Sequence, residues 1–295
     1  MKRLLYIGLI WFLSPAFAWA QADSLNKAID YYESRDLVKA RSAIDAASKH
    51  PSTSNLPNTW YLRGFIYKEY FKHYEASNPK SPAREEAVAA FVKVGELDPG
   101  KSEFFDDNVR QSLKYLGSTY YNTSSDFFTA DGYKTAIEFF EKYKKCYLLA
   151  NPDFNWKPSH IEFYLSLGTG MENIYVTNRK VNLPYMEITA GMYKKVLEVD
   201  TNNITAYYNL CMLYYNHGVS IINDMSDETD ILDIDKIQER ALEFFKTALP
   251  YALKAYSLNP KRRETLVALS GIYFSMHEEE KSAIIQAEIK ALDGK

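Results

Sequence analysis

The chain has 295 residues, 46% hydrophobic and 15% aromatic, with a formal net charge of −3. That apolar content excludes a purely disordered chain. The negative balance argues against tight nucleic-acid binding, which needs concentrated Lys and Arg.

Residues 1–20 read as a secretory signal peptide. Lys2 and Arg3 form the positive start, Leu4 to Leu13 the apolar stretch, and Ala18-Trp19-Ala20 the small-residue cleavage site. Cleavage would leave 275 residues from Gln21 and, with two positive charges lost, a net charge of −5. A lipid anchor would need Cys directly after the cut, where Gln21 stands. The expectation is a periplasmic or secreted protein. No later apolar run approaches the ~18–20 residues that span a bilayer. Cys146 and Cys211 are the only cysteines, too few for a disulfide framework.

From Gln21 onward a two-helix unit recurs six times. Residues 21–54 carry Ala28, Tyr31, Ala40, Ile44 and Ala47; 57–101 carry Trp60, Gly64, Tyr67, Ala87, Phe91, Val94 and Pro99. Residues 110–150 carry Leu113, Leu116, Gly117 and Tyr120, then Ala136, Phe140 and Tyr143. Residues 161–203 carry Tyr164, Leu167, Gly168 and Met171, then Tyr193 and Val196. Residues 204–262 carry Tyr207, Leu210, Cys211 and Tyr214, then Ala248, Ala255 and Pro260. The last unit, 263–295, has Leu266, Leu269, Ser270 and Tyr273 and a helix through Leu292.

This pattern resembles the tetratricopeptide repeat (TPR), a 34-residue helix–turn–helix with large residues at positions 4, 7, 11 and 24 and small ones at 8 and 20. At about 100° per residue, positions 4, 7, 8 and 11 share one side of the first helix. The small residues let the paired helices approach, and the aromatics fill the space around the crossing. The resemblance implies an all-α chain, a right-handed solenoid of antiparallel helix pairs in one domain, 21–295. It also implies first helices lining a concave surface.

The repeat allows nine residues from position 11 to position 20. Here Tyr67 to Ala87 uses 20, Tyr120 to Ala136 uses 16, Met171 to Thr189 uses 18 and Tyr214 to Ala248 uses 34. All four excesses lie in the turn between the two helices of a unit. They either form an edge that adds binding surface or lengthen the helices.

Enzyme signals are poor. His50, His73, His160, His217 and His277 are scattered and form neither HExxH nor a CxxC…H spacing. No nucleophile elbow, phosphate loop or dinucleotide glycine pattern appears. Gly168-Thr169-Gly170 falls inside a helix and reads as a close helix contact. Cys146 and Cys211, a full unit apart, read as free packed thiols. The stretch Ile221–Asp235 is acidic but lacks the EF-hand spacing, so it reads as a solvated loop, with an acidic docking edge or a weak divalent-ion site as the alternative. Neither an enzyme nor a cofactor nor a metal site is expected.

Binding is the remaining class. If positions 4, 7, 8 and 11 face the core, positions 2, 5, 6, 9, 12 and 13 lie opposite. Position 13 is Asn122, Asn173 and Asn216 in three successive units, and position 12 is Tyr121 and Tyr215 in two of them. Carboxamides pair with an extended peptide backbone, and tyrosines give flat contact area at low entropy cost. The expected contacts are Tyr121, Asn122, Asn173, Tyr208, Tyr215 and Asn216, with Lys68 and Lys114 supplying charge. The expected activity is a protein-interaction scaffold of the cell envelope, holding an extended or helical partner segment. The Lys-and-Asn clamp that similar cytosolic domains place on chaperone C-termini is absent, since only Lys114 matches and Ser118 stands beside it. An envelope carbohydrate-binding protein is the alternative, signalled by a coplanar exposed aromatic pair near Trp156.

Overall fold

The computed structural model describes residues 16–100, 104–226 and 230–294. Residues 1–15 of the expected signal peptide lie outside the described residues, as do 227–229 of the acidic stretch. Twelve α-helices and no strand occur among the described residues. They are α1 (Ala16–Glu33), α2 (Leu37–Lys49), α3 (Pro57–Tyr70), α4 (Pro82–Leu97), α5 (Asp107–Ser124) and α6 (Tyr133–Ala150). There follow α7 (Lys157–Thr177), α8 (Leu183–Val199), α9 (Ile204–Asn223), α10 (Ile231–Leu258), α11 (Arg263–Ser275) and α12 (Glu279–Asp293). Each consecutive pair overlaps one of the six stretches read from the sequence, with α1, α5 and α7 starting before the stretch's first residue. None of these helices is long and apolar enough to cross a membrane.

The chain divides into two compact units, one running to Thr123 with Glu138–Phe154, the other holding Ser124–Ile137 with Asn155–Lys295. In the first unit α1 packs on α2, α2 on α3 and α3 on α4. In the second, α7 packs on α8 and each later helix on its successor, with α9 also touching α11. Short connections and neighbour-to-neighbour packing make each unit an α-solenoid of antiparallel helix pairs.

Local chemistry sets the helix starts. Asp36 caps α2 through the Lys39 N–H at 3.1 Å, Ser81 caps α4 through the Arg84 N–H at 3.0 Å, and Asn203 caps α9 through the Ala206 N–H at 3.0 Å. Pro57, Pro82, Pro158 and Pro184 sit in first turns, where a missing N–H costs nothing.

The crossings follow the glycine–aromatic logic. A Cβ on Gly64 would come within 3.0 Å of the Phe91 ring, and one on Gly168 within 3.0 Å of Tyr193. In the α11–α12 pair, Ser270 and Ser282 take the small positions, with their hydroxyls 3.1 Å apart. The α9–α10 pair departs from the expected phase. Its close approach is at Gly218, against Phe245 and the Ala241 carbonyl, seven residues beyond Cys211.

The insertions are mostly helix. After α3 the chain continues as a π-helical turn, Phe71–Glu75, and after α5 as a 3₁₀ turn, Ser125–Phe127. The α9 helix runs nine residues past Tyr214, and α10 starts 17 before Ala248. What sequence left open between a projecting edge and longer helices resolves largely to longer helices.

Candidate functional site

The expected row of contacts is shared between the units. In the first unit, Lys68 is half-buried, with its Nζ 3.2 Å from Ser112 Oγ and 3.4 Å from the Glu69 carboxylate. Its ammonium also sits 4.7 Å from the centre of the Phe65 ring. Tyr121 is half-buried, its ring centre 4.9 Å from Tyr143 and 6.3 Å from Phe140. Lys114 and Asn122 are exposed.

In the second unit Asn173 is exposed and Asn216 half-buried. Tyr208 is half-buried, with the Arg262 guanidinium 4.4 Å from its ring centre. Tyr215 packs 5.6 Å from Phe245 and so near Gly271 that a Cβ there would lie 2.8 Å from its hydroxyl.

A physical rule sorts these outcomes. The side of a first helix that faces away from its own partner meets the first helix of the next pair. Lys68 reaching Ser112 on α5, Tyr208 under Arg262, and Tyr215 against Gly271 on α11 all follow it. Lys68, Tyr208 and Tyr215 therefore serve stacking within a unit, whereas Lys114 at position 5 and Asn122 and Asn173 at position 13 are exposed.

The sequence reading did not anticipate a groove in the second unit. It has a volume of about 550 Å³ and lies between the start of α10, the end of α9 and the α11–α12 turn. Ile222, Leu242, Phe245 and Phe274 form its apolar lining, and Asp235, Glu239 and Glu279 carry its charge. Phe274 is 65% exposed, the more exposed of the two phenylalanines there, while Phe245 is 1% exposed. The signal available in sequence was the long fifth insertion, which supplies both Ile222 and the start of α10.

Other expectations can be placed. Cys146 and Cys211 are free and buried, and burial pushes each thiol up to about 12. Among the described residues no three His, Cys, Asp or Glu groups cluster as metal ligands. Gly170 lies beside Phe128, 3.3 Å from where its Cβ would stand, so Gly168 and Gly170 are both packing glycines. Trp156 is half-buried, edge-on to His160 at 5.4 Å. A near-parallel pair, Tyr214 with Tyr251 at 11°, has Tyr214 buried. Neither arrangement offers a sugar a flat exposed platform.

The helix pairs are tetratricopeptide-like. No protein-family model matches the chain, and no curated protein matches its sequence. Among solved structures, a TPR repeats protein from Bacteroides fragilis NCTC 9343 is 16% identical, with 86% of this chain and 98% of that one covered at a TM-score of 0.48. MamA protein is 16% identical, with 79% and 93% covered at 0.32. PilW, a type IV pilus biogenesis factor, is 14% identical, with 92% and 93% covered at 0.32. At these scores the assignment of the fold rests on the chain's own helix pairs and crossings.

Proposed function

We propose that this protein is a non-enzymatic interaction scaffold of the cell envelope, periplasmic or secreted, that holds a segment of a partner protein. The observation that carries the reading is the groove at the α11–α12 turn, where Phe274 stands 65% exposed beside three carboxylates. An apolar floor with an acidic rim complements an amphipathic partner segment bearing Lys or Arg. Aromatic side chains in such grooves act as anchors, with the charged rim setting register and on-rate. The exposed Lys114 and Asn122 of the first unit, and separately the exposed Asn173 of the second, are proposed as polar contacts of a partner segment.

The test is affinity capture from the organism's envelope extract with residues 21–295 as bait, read by mass spectrometry. Wild type is compared with Phe274→Ala and with Asn122→Ala/Asn173→Ala, both at exposed positions that leave folding nearly intact. A protein lost from Phe274→Ala alone places contact in the groove. Loss from the Asn variant alone places it at one of the two exposed asparagines. A set of captured proteins that neither variant changes would refute both surfaces.

A further inference from the structure

A second cavity in the second unit has different chemistry from the groove. It has a volume of about 430 Å³ and lies where the α7–α8 turn meets the end of α9 and the first turns of α10. Arg179 and Lys180 reach it from the turn, His217 from α9 and Arg240 from α10. Among the described residues of its lining the one carboxylate, Asp224, lies 3.4 Å from the Lys180 ammonium. Positive charge is therefore in excess.

Among the described residues, two buried nitrogens of this lining have no hydrogen-bond partner, Nε of Arg179 and Nε2 of His217. His217 is 5% exposed, and its Nδ1 is 2.5 Å from the Tyr175 hydroxyl. Burial raises the Tyr175 phenol above its ordinary range, so the hydroxyl stays protonated and is able to donate to Nδ1. Burial, then the charges of Arg240 and Arg179, hold the imidazole below its ordinary range. The ring is thus neutral, and the tautomer that accepts from Tyr175 at Nδ1 carries its proton on Nε2. Phe244 stands edge-on to it at 4.3 Å. A buried polar atom without a partner is costly, and the Arg179 Nε–H and the His217 Nε2 beside surplus cations point to an oxyanion.

We propose that this cavity binds the oxyanion head, carboxylate or phosphate, of a small organic acid. The guanidinium groups of Arg179 and Arg240 match the planar spacing of such oxygens. The His217 N–H supplies a directed neutral donor, and Leu183, Ile221 and Ile237 give the ligand's apolar body a wall. The volume lies within the range of about 300–1,000 Å³ usual for small-molecule sites. This inference goes beyond the scaffold reading, and the test below uses no protein partner.

Calorimetric titration of the full chain with hexanoate, hexyl phosphate and inorganic phosphate tests it, with the His217 ring N–H followed by NMR. The expected result is saturable 1:1 binding of hexanoate or hexyl phosphate, with the His217 resonance moving. Whichever of the two binds more tightly identifies the head group. Arg240→Ala, at an exposed position, should weaken binding about tenfold, the loss of one charge-assisted hydrogen bond. Lys254→Ala, exposed further along α10, should leave it unchanged. No saturable binding of any probe overturns the proposal, as does binding that both Arg240→Ala and Arg179→Gln leave intact. Equal affinity for inorganic and hexyl phosphate overturns the organic ligand.

Discussion

Two glycines of one helix pair give opposite expectations from the same substitution. Gly168 on α7 and Gly191 on α8 both lie inside helices of the second unit. A Cβ at Gly168 would come within 3.0 Å of two carbons of the Tyr193 ring, whereas one at Gly191 meets nothing within 4 Å. Tyr193 is fully buried, and its hydroxyl donates to Glu172 at 2.8 Å. The ring therefore cannot swing aside without breaking that bond or displacing α8. Overpacking of this kind costs about 1–3 kcal/mol. Replacing an interior helical Gly by Ala returns about 1 kcal/mol. Gly191→Ala should then stabilise by about 1 kcal/mol, and Gly168→Ala should destabilise by about 1 kcal/mol. The gap of about 2 kcal/mol isolates the steric term, because the propensity gain is common to both. Urea unfolding followed by far-UV circular dichroism measures it, with equal slopes showing that only stability has changed. If Gly168→Ala proves as stabilising as Gly191→Ala, the helices do not approach at Gly168 and the repeat phase is wrong.

Other expectations come from buried polar groups. Arg84 is 1% exposed, its guanidinium 3.9 Å from the centre of the Tyr120 ring and its Nη1 3.4 Å from Thr119. Arg84→Lys loses the planar stack and should lower stability by about 1–3 kcal/mol, read by urea midpoint. Glu172 is raised from the ordinary 4.5, chiefly by burial, so the folded state holds its proton more tightly than the unfolded chain. Its contribution is fully present below 4.5 and declines as pH climbs from there to the raised folded-state value. Glu172→Gln, which keeps an acceptor for Tyr193, should flatten stability against pH in that window. With both thiols pushed up to about 12 and buried, Cys146 and Cys211 should resist alkylation at mildly alkaline pH until urea unfolds the chain.

The helix pairs were legible because close crossings leave a chemical trace. Gly64 facing Phe91 and Gly168 facing Tyr193 fall where small and aromatic positions were expected. The fifth pair shows the limit of such reading. Seven residues turn a helix through nearly two full revolutions, so Cys211 and Gly218 share a face and both are buried. Pattern alone cannot choose between them, whereas the Phe245 ring against Gly218 does. Of the expected row, Lys114, Asn122 and Asn173 are exposed, while Lys68, Tyr121, Tyr208, Tyr215 and Asn216 are half-buried. Tyr208 and Tyr215 read as exposed because helical phase reports which side faces the partner helix within a pair. It is silent on the next pair, whose Arg262 and Gly271 cover them.

Helix length explains why the unforeseen cavities arise where they do. The α9 and α10 helices have 20 and 28 residues, while α11 stacked against them has 13. A short pair cannot cover a long one, so the surplus turns keep an unpacked side. Their apolar residues, Ile222 and Leu242, then lie open beside Phe274 at the end of α11. Nearer the α7–α8 turn the same surplus turns are flanked by Arg179 and Lys180, and the space becomes cationic. The insertions thus act through helix length. They leave two walls of opposite charge on one helix pair, one suited to a basic amphipathic segment and the other to a small anion.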